Sequence, residues 1–130
     1  MTNTQLKVQL LLTGNEIMSG DTVDSNSALI AKRLGELAIS VHRKVTVGDE
    51  VELLKSELAA MAADADLVIV NGGLGPTIDD LTAEILAAVA GVPIEEHPDA
   101  VTHLEKWCRQ RNLQLNPANL KQAMLPAGVK

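Results

Sequence analysis

Apolar and polar positions along this chain repeat with a period that switches between two residues and about 3.6. Leu6-Lys7-Val8-Gln9-Leu10 alternates and Leu11-Leu12 follows without a polar break, which predicts a strand. Thr13-Gly14-Asn15-Glu16 then opens a polar loop. From about Asp24 to Leu37 the spacing is helical, with Ile30, Leu34 and Leu37 on one face and Lys32, Arg33 and Glu36 away from it. Ile39 to Val47 predicts a second strand, closed by Gly48. Asp49 to Ala63 predicts a helix with Val51, Leu54, Leu58 and Met61 inward, and Asp49 stands at an N-cap position with Glu52 three residues on.

Leu67-Val68-Ile69-Val70 has no polar alternation, as expected of a strand buried on both faces of a parallel sheet. Thr77 to Ala90 predicts a helix with Leu81, Ile85, Ala88 and Val89 inward, stopped by Gly91 and Pro93. Val92-Pro93-Ile94 fits a short edge strand, since Pro has no N–H to donate to a central ladder. Pro98 to Arg111 and Pro117 to Ala123 predict two further helices. Strand and helix therefore alternate. That order predicts an α/β fold, a mostly parallel, doubly wound sheet with helices on both faces, in one domain spanning 1–130. Ligands of such sheets bind beyond the carboxyl ends of the strands. Three loops leave those ends, Thr13 to Asp24, Gly48-Asp49 and Asn71 to Asp80, and together they can line one cleft.

Composition narrows the chemistry. A hydrophobic content of 46% suits a folded domain, and no apolar run reaches the roughly 18 residues of a membrane span. Met1-Thr2-Asn3-Thr4-Gln5 lacks the basic start of a secretory signal, and the single Cys108 excludes an internal disulfide framework. A cytoplasmic setting with no membrane partner is the expectation. The net charge of −6 argues against a nucleic-acid polymer as partner, and the basic residues of His42-Arg43-Lys44 and of Lys106, Arg109 and Arg111 read as solvated faces. One Trp and no Phe or Tyr removes the usual platform for stacking single strands. A bound nucleotide base is thus expected to lie between aliphatic side chains.

The chemistry concentrates in the loops. Gly72, Gly73 and Gly75 allow positive φ and close backbone approach, which suits a phosphate as well as a tight strand-to-helix turn. Thr77 with Asp80 three residues later resembles a capping box. Asp79 and Asp80, if helical, project about 100° apart and do not act as a symmetric pair. The first loop carries Glu16, Asp21 and Asp24 and is longer than most such connections, which hints at binding. Asp24 or Ser25 can equally cap the next helix. His42, His97 and His103 have no metal-ligand spacing, and Cys108 reads as a small buried hydrophobe.

Several segments together resemble one family. They are Thr13 to Gly20 with Asp24 and Asn26, Thr46-Val47-Gly48-Asp49, and Gly72 to Thr77 with Asp79 to Thr82. Asn119 to Ala123 with Pro126-Ala127-Gly128 also match. The set is similar to the N-terminal domain of CinA, the competence/damage-inducible family, within the superfamily of MoaB, MogA and the gephyrin G domain. The resemblance covers nearly the whole chain. It implies a three-layer α/β/α fold and a cleft at the glycine-rich loop. Two acids essential in the molybdopterin enzymes match Asp80 and Asp49. CinA-type domains are associated with hydrolysis of ADP-ribose using a divalent metal, Mg or Co.

Carried onto this chain, the resemblance makes Asp80 and Asp49 the catalytic and metal-binding candidates, with Glu16 and Asp24 secondary. Gly14, Asn15, Asn26, Gly72, Gly73, Gly75, Pro76, Thr77 and Asp79 join those two as ligand-binding candidates. The implied partner is a phosphate-bearing small molecule, ADP-ribose or a molybdopterin-like compound, and relatives self-associate, so a homo-oligomer is expected. Leu74-Gly75-Pro76 stands where the molybdopterin enzymes have Thr-Gly, which favours the CinA branch. Family domains continue with an Asn/Gly-rich segment, a strand and a helix, and full-length CinA adds a nicotinamide-nucleotide deamidase domain. The resemblance therefore implies a longer parent protein.

Overall fold

All six residues of the first strand, β1 (Val8–Thr13), are buried. It lies between β2 (Val41–Val47) and β3 (Leu67–Asn71), parallel to both, so neighbours cover it on either side. The computed structural model describes residues 5–130; Met1 to Thr4, which carry most of the expected non-secretory start, lie outside the described residues. The chain divides into two compact units, one ending at Gly72 and one spanning Gly73–Lys130.

In the first unit the sheet order is β2-β1-β3. Helix α1 (Asn15–Met18) is a single turn inside the first loop, and α2 (Asn26–Glu36) leads on to β2. Ile30 and Leu34 of α2 pack on Val8, Leu10 and Leu12, one face of β1. Successive strand residues point to opposite faces, so Gln9, Leu11 and Thr13 face the other way. There Gln9 Nε2 donates to Asp64 Oδ2 at 2.6 Å, on α3 (Val51–Asp64), whose Leu54, Leu58 and Met61 are buried. Helices thus cover both faces of a parallel sheet, which is the three-layer arrangement expected. Full burial of side chains such as Leu10 and Leu11 stabilises by about 2 kcal/mol each.

The strand buried on both faces is β1, not β3. Leu67 is exposed and the rest of β3 only half-buried, because β3 is an outer strand of this sheet. Leu37 and Val51, expected inward, are exposed at the ends of their helices.

In the second unit, α4 (Thr82–Ala90) ends at Gly91, whose φ of 70° supplies the left-handed cap. Ala87 is buried where Ala88 was expected. β4 (Ile94–Glu96) pairs antiparallel with β5 (Met124–Pro126), a strand the apolar pattern does not announce, and α4 packs on β5. Between β4 and β5 run α5 (Pro98–Gln110), α6 (Pro117–Leu120) and a 3-10 turn, Lys121–Ala123. Cys108 is buried on α5, as its reading as a hydrophobe requires. No helix among the described residues is long and apolar enough to cross a membrane.

Candidate functional site

The loops at the carboxyl ends of the first unit's strands fold onto one another through side chains. Gly14 N–H donates to the Val47 carbonyl at 3.2 Å, joining the end of β1 to the end of β2. This brings Asn15 to Gly48-Asp49. Asp49 N–H donates to Asn15 Oδ1 at 2.9 Å, while Asp49 Oδ2 accepts from Asn15 N–H at 3.3 Å and Oδ1 from the Thr13 hydroxyl at 3.2 Å. A Cβ on Gly48 would stand 2.7 Å from the amide oxygen of Asn15, so a side chain there would displace the Asn15 amide from Asp49. Asp49 is therefore not the helix cap: α3 starts after Glu50, with no side-chain cap bond. Its carboxylate is spent across the strand ends instead.

Glu16, Asp24, Asn26, Asn71 and Gly72 line a cavity of about 190 Å³ between the ends of β1 and β3. That is where the chain changes direction of winding in the order β2-β1-β3, the place where open α/β sheets bind ligands. Gly72 has φ 104°, and a Cβ there would lie 2.4 Å from the Thr13 carbonyl oxygen. Only glycine lets β3 leave the sheet so close to β1. Asn26 Nδ2 donates to Asn71 Oδ1 at 3.1 Å. Asp24 accepts the Ser27 hydroxyl and, at 3.0 Å, the Ser27 N–H, so it caps the start of α2. The Ser27 hydroxyl first, then its N–H and the nearby Lys44, outweigh burial and hold the Asp24 carboxyl below its ordinary range. Lys44 Nζ donates to Ser27 Oγ at 3.1 Å.

In the second unit the glycine loop closes on Asp80. Thr77 donates to Asp80 Oδ2 from its N–H at 2.9 Å and from its hydroxyl at 2.8 Å. Burial raises the Asp80 pKa, but the hydroxyl and N–H of Thr77, the Gly75 N–H and the charge of Lys121 outweigh it. The carboxyl thus stays below its ordinary range and ionised at neutral pH. Neither Asp79 nor Asp80 is helical: α4 begins at Thr82, and Thr77 donates to Asp80 where a capping box would have Thr77 capping the helix. Asp79 is exposed. Lys121 Nζ donates to the Thr77 carbonyl and, at 2.5 Å, to the Asp80 carbonyl, locking the loop from the 3-10 turn. Gly73, Leu74, Gly75, Asp80, Glu84 and Lys121 border a cavity of about 160 Å³.

Lys121 and Thr13 were not singled out from the sequence. Lys121 lies inside the Asn119–Ala123 segment of the family resemblance, and Thr13 is the last inward position of an alternating strand. Among the described residues no three His, Cys, Asp or Glu side chains gather as a metal cage. The hard carboxylate oxygens do suit a cation that arrives with phosphates, since Mg²⁺ needs only one or two carboxylates beside phosphate and water.

Comparison with known proteins bears on this geometry. A family model described as "Probable molybdopterin binding domain" matches residues 9–128. A CinA-like protein of Colwellia psychrerythraea is 57% identical over 120 residues, 92% of this chain and 28% of the relative. Another, from Citrifermentans bemidjiense, is 44% identical over 125 residues, 96% of this chain and 30% of the relative. The chain thus spans less than a third of the length of these curated relatives. Among solved structures, the protein CinA of Thermoplasma acidophilum, described as of unknown function, matches with TM-score 0.85 and 31% identity over 95% of this chain and 73% of that one. The molybdopterin biosynthesis enzyme MoaB of Thermus thermophilus matches with TM-score 0.61 and 21% identity over 92% of this chain and 71% of that one, a likeness of fold.

Proposed function

This chain belongs to the family of molybdopterin-binding domains, among its CinA-like members, and from that premise we propose that it binds a phosphate-bearing small molecule at the glycine loop and hydrolyses the pyrophosphate of ADP-ribose. The observation that carries the reading is the cavity where glycine backbone, an ionised Asp80 and Lys121 meet. A phosphate entering it meets the carboxylates of Asp80 and Glu84, while Lys121 is already committed to two carbonyls. Like charges repel, so a divalent cation, Mg²⁺ or Co²⁺, is the natural bridge. When bound, that cation supplies Lewis-acid neutralisation of the pyrophosphate.

Asp80, kept as the anion, serves as a cation ligand rather than a proton donor. Gly73 and Gly75 let the backbone approach the phosphates, and Thr77 with Lys121 keeps Asp80 in place. Asp49, fixed by Thr13 and Asn15, is proposed as the second essential carboxylate and is tested by its own substitution. Water adds to one phosphorus as the bridging P–O bond breaks, giving AMP and ribose 5-phosphate.

AMP release from ADP-ribose with Mg²⁺ or Co²⁺, lost in Asp80→Ala and in Asp49→Ala, is the expected outcome. Bound ADP-ribose with no turnover under either cation refutes hydrolysis. The family match over 9–128 favours a second reading, a molybdopterin-binding or adenylyltransferase-type domain that does not cleave ADP-ribose. Tight molybdopterin binding alongside inert ADP-ribose selects it. A purely binding module predicts ligand affinity unchanged by Asp80→Ala.

A further inference from the structure

Beside the glycine loop lies a larger groove of about 520 Å³, within the 300–1,000 Å³ typical of small-molecule sites. One wall is the face of α5 that carries Ala100, His103, Leu104 and Trp107, at positions i, i+3, i+4 and i+7. The other is Leu74 and Pro76 of the glycine loop, with Asn119 and Gln122 alongside. Trp107 is 39% exposed, although it is the largest apolar side chain of the chain. The Arg111 guanidinium stands 4.3 Å from its ring centroid and covers one face.

We infer that this groove holds the flat heteroaromatic ring, a purine or a pterin, of the ligand whose phosphate lies at the glycine loop. The inference rests on the phosphate-binding reading above and extends it to the other end of the ligand. Two observations place the groove next to the phosphate end of the ligand, and a third fits a ring. Leu74 and Gln122 border both this groove and the cavity of Asp80, so the two spaces are adjacent. Gln122 Nε2 donates to the Leu74 carbonyl at 3.3 Å, which ties the loop to the groove wall. The walls pair apolar surface with an imidazole and two amides, groups that donate and accept at a ring edge. On this inference Leu74, Pro76 and Leu104 supply the aliphatic contact expected of a bound base, and Trp107 adds an aromatic surface.

Trp107 is the sole Trp in a chain without Tyr or Phe, so intrinsic fluorescence reports this groove alone. Titration with adenosine, AMP, 6-hydroxymethylpterin, ribose 5-phosphate and inorganic pyrophosphate separates ring from phosphate. Adenosine and AMP, or the pterin, are expected to change the emission, and ribose 5-phosphate is not. Calorimetry with Mg²⁺ present should show AMP binding about tenfold tighter than ribose 5-phosphate, the usual scale of one stacked base. Trp107→Ala should erase that advantage and leave pyrophosphate affinity unchanged, whereas Trp107→Phe should keep most of it.

Equal affinity for AMP and ribose 5-phosphate, with unaltered emission, overturns the inference while pyrophosphate binding leaves the phosphate reading standing. Failure of pyrophosphate to bind, with ring-dependent emission changes intact, removes the phosphate reading and supports the ring site. Emission that responds to protein concentration and not to adenosine overturns the inference in favour of a second copy of the chain.

Discussion

Replacing Gly72 with alanine tests how the end of β3 is held against β1. At φ 104° an L residue is strained, at roughly 1–3 kcal/mol. The new Cβ would also lie 2.4 Å from the Thr13 carbonyl oxygen and 3.1 Å from Thr13 Cγ2. Reaching ordinary contact requires a shift of about 1 Å between neighbouring strands, and such overpacking costs about 1–3 kcal/mol. The two contributions give about 4 kcal/mol. For a chain of this size that lowers the thermal midpoint by roughly 12–16 °C. Gly20→Ala is the control: φ is 82°, but nothing lies within 4 Å of the new Cβ, so strain alone remains, at about 1–2 kcal/mol or roughly 3–8 °C. Thermal unfolding followed by far-ultraviolet circular dichroism measures both. If Gly72→Ala costs no more than Gly20→Ala, the close approach of Gly72 to Thr13 does not constrain the fold and the reasoning fails.

Asp24→Asn should cost about 1 kcal/mol at pH 7, the scale of a helix cap. Because the folded Asp24 pKa is lowered, its contribution is present above the ordinary carboxyl range and is lost as pH falls through the folded value. The difference between wild type and variant in urea unfolding should therefore shrink as the pH falls below the ordinary carboxyl range, and a constant difference would contradict the assignment. Gln9→Leu removes a buried amide whose Oε1 has no partner among the described residues but whose Nε2 donates to Asp64 Oδ2, and because the two changes oppose each other stability should stay within about 1 kcal/mol of wild type; a loss above about 2 kcal/mol in the same assay argues that the Asp64 hydrogen bond outweighs the unsatisfied oxygen. Lys121→Met should release the Thr77 and Asp80 carbonyls and weaken pyrophosphate binding about tenfold by calorimetry, the scale of one charge-assisted hydrogen bond. Unchanged affinity would show that the loop holds its shape without the lysine.

The order of strands and helices was legible in the chain because each element buries one face, and a buried face leaves a period in the sequence. The helical stretch before Gly91, the short strand near Ile94 and the buried Cys108 follow from such local rules. Gly72, Gly73 and Gly75 were recognisable for a related reason, since a tight turn selects glycine within a few residues, and Gly72 and Gly73 do take positive φ. What the chain could not disclose was which elements become neighbours. Whether β1 or β3 is flanked on both sides depends on the path of the connections, and Leu67 to Val70 reads as apolar in either place. Asp49 looks like a cap in its own segment, but its partners Thr13 and Asn15 lie 36 and 34 residues away. The short strand Met124–Pro126 carries too few residues to show a period and exists only by pairing with Ile94–Glu96. Local sequence thus determined the order of the elements and which loops can admit a ligand. Only the tertiary structure decided which strand lies at the centre, how the Asp49 and Asp80 carboxylates are held, and that Trp107 stands beside the glycine loop. Those outcomes rest on contacts between residues distant in the chain, which no period records.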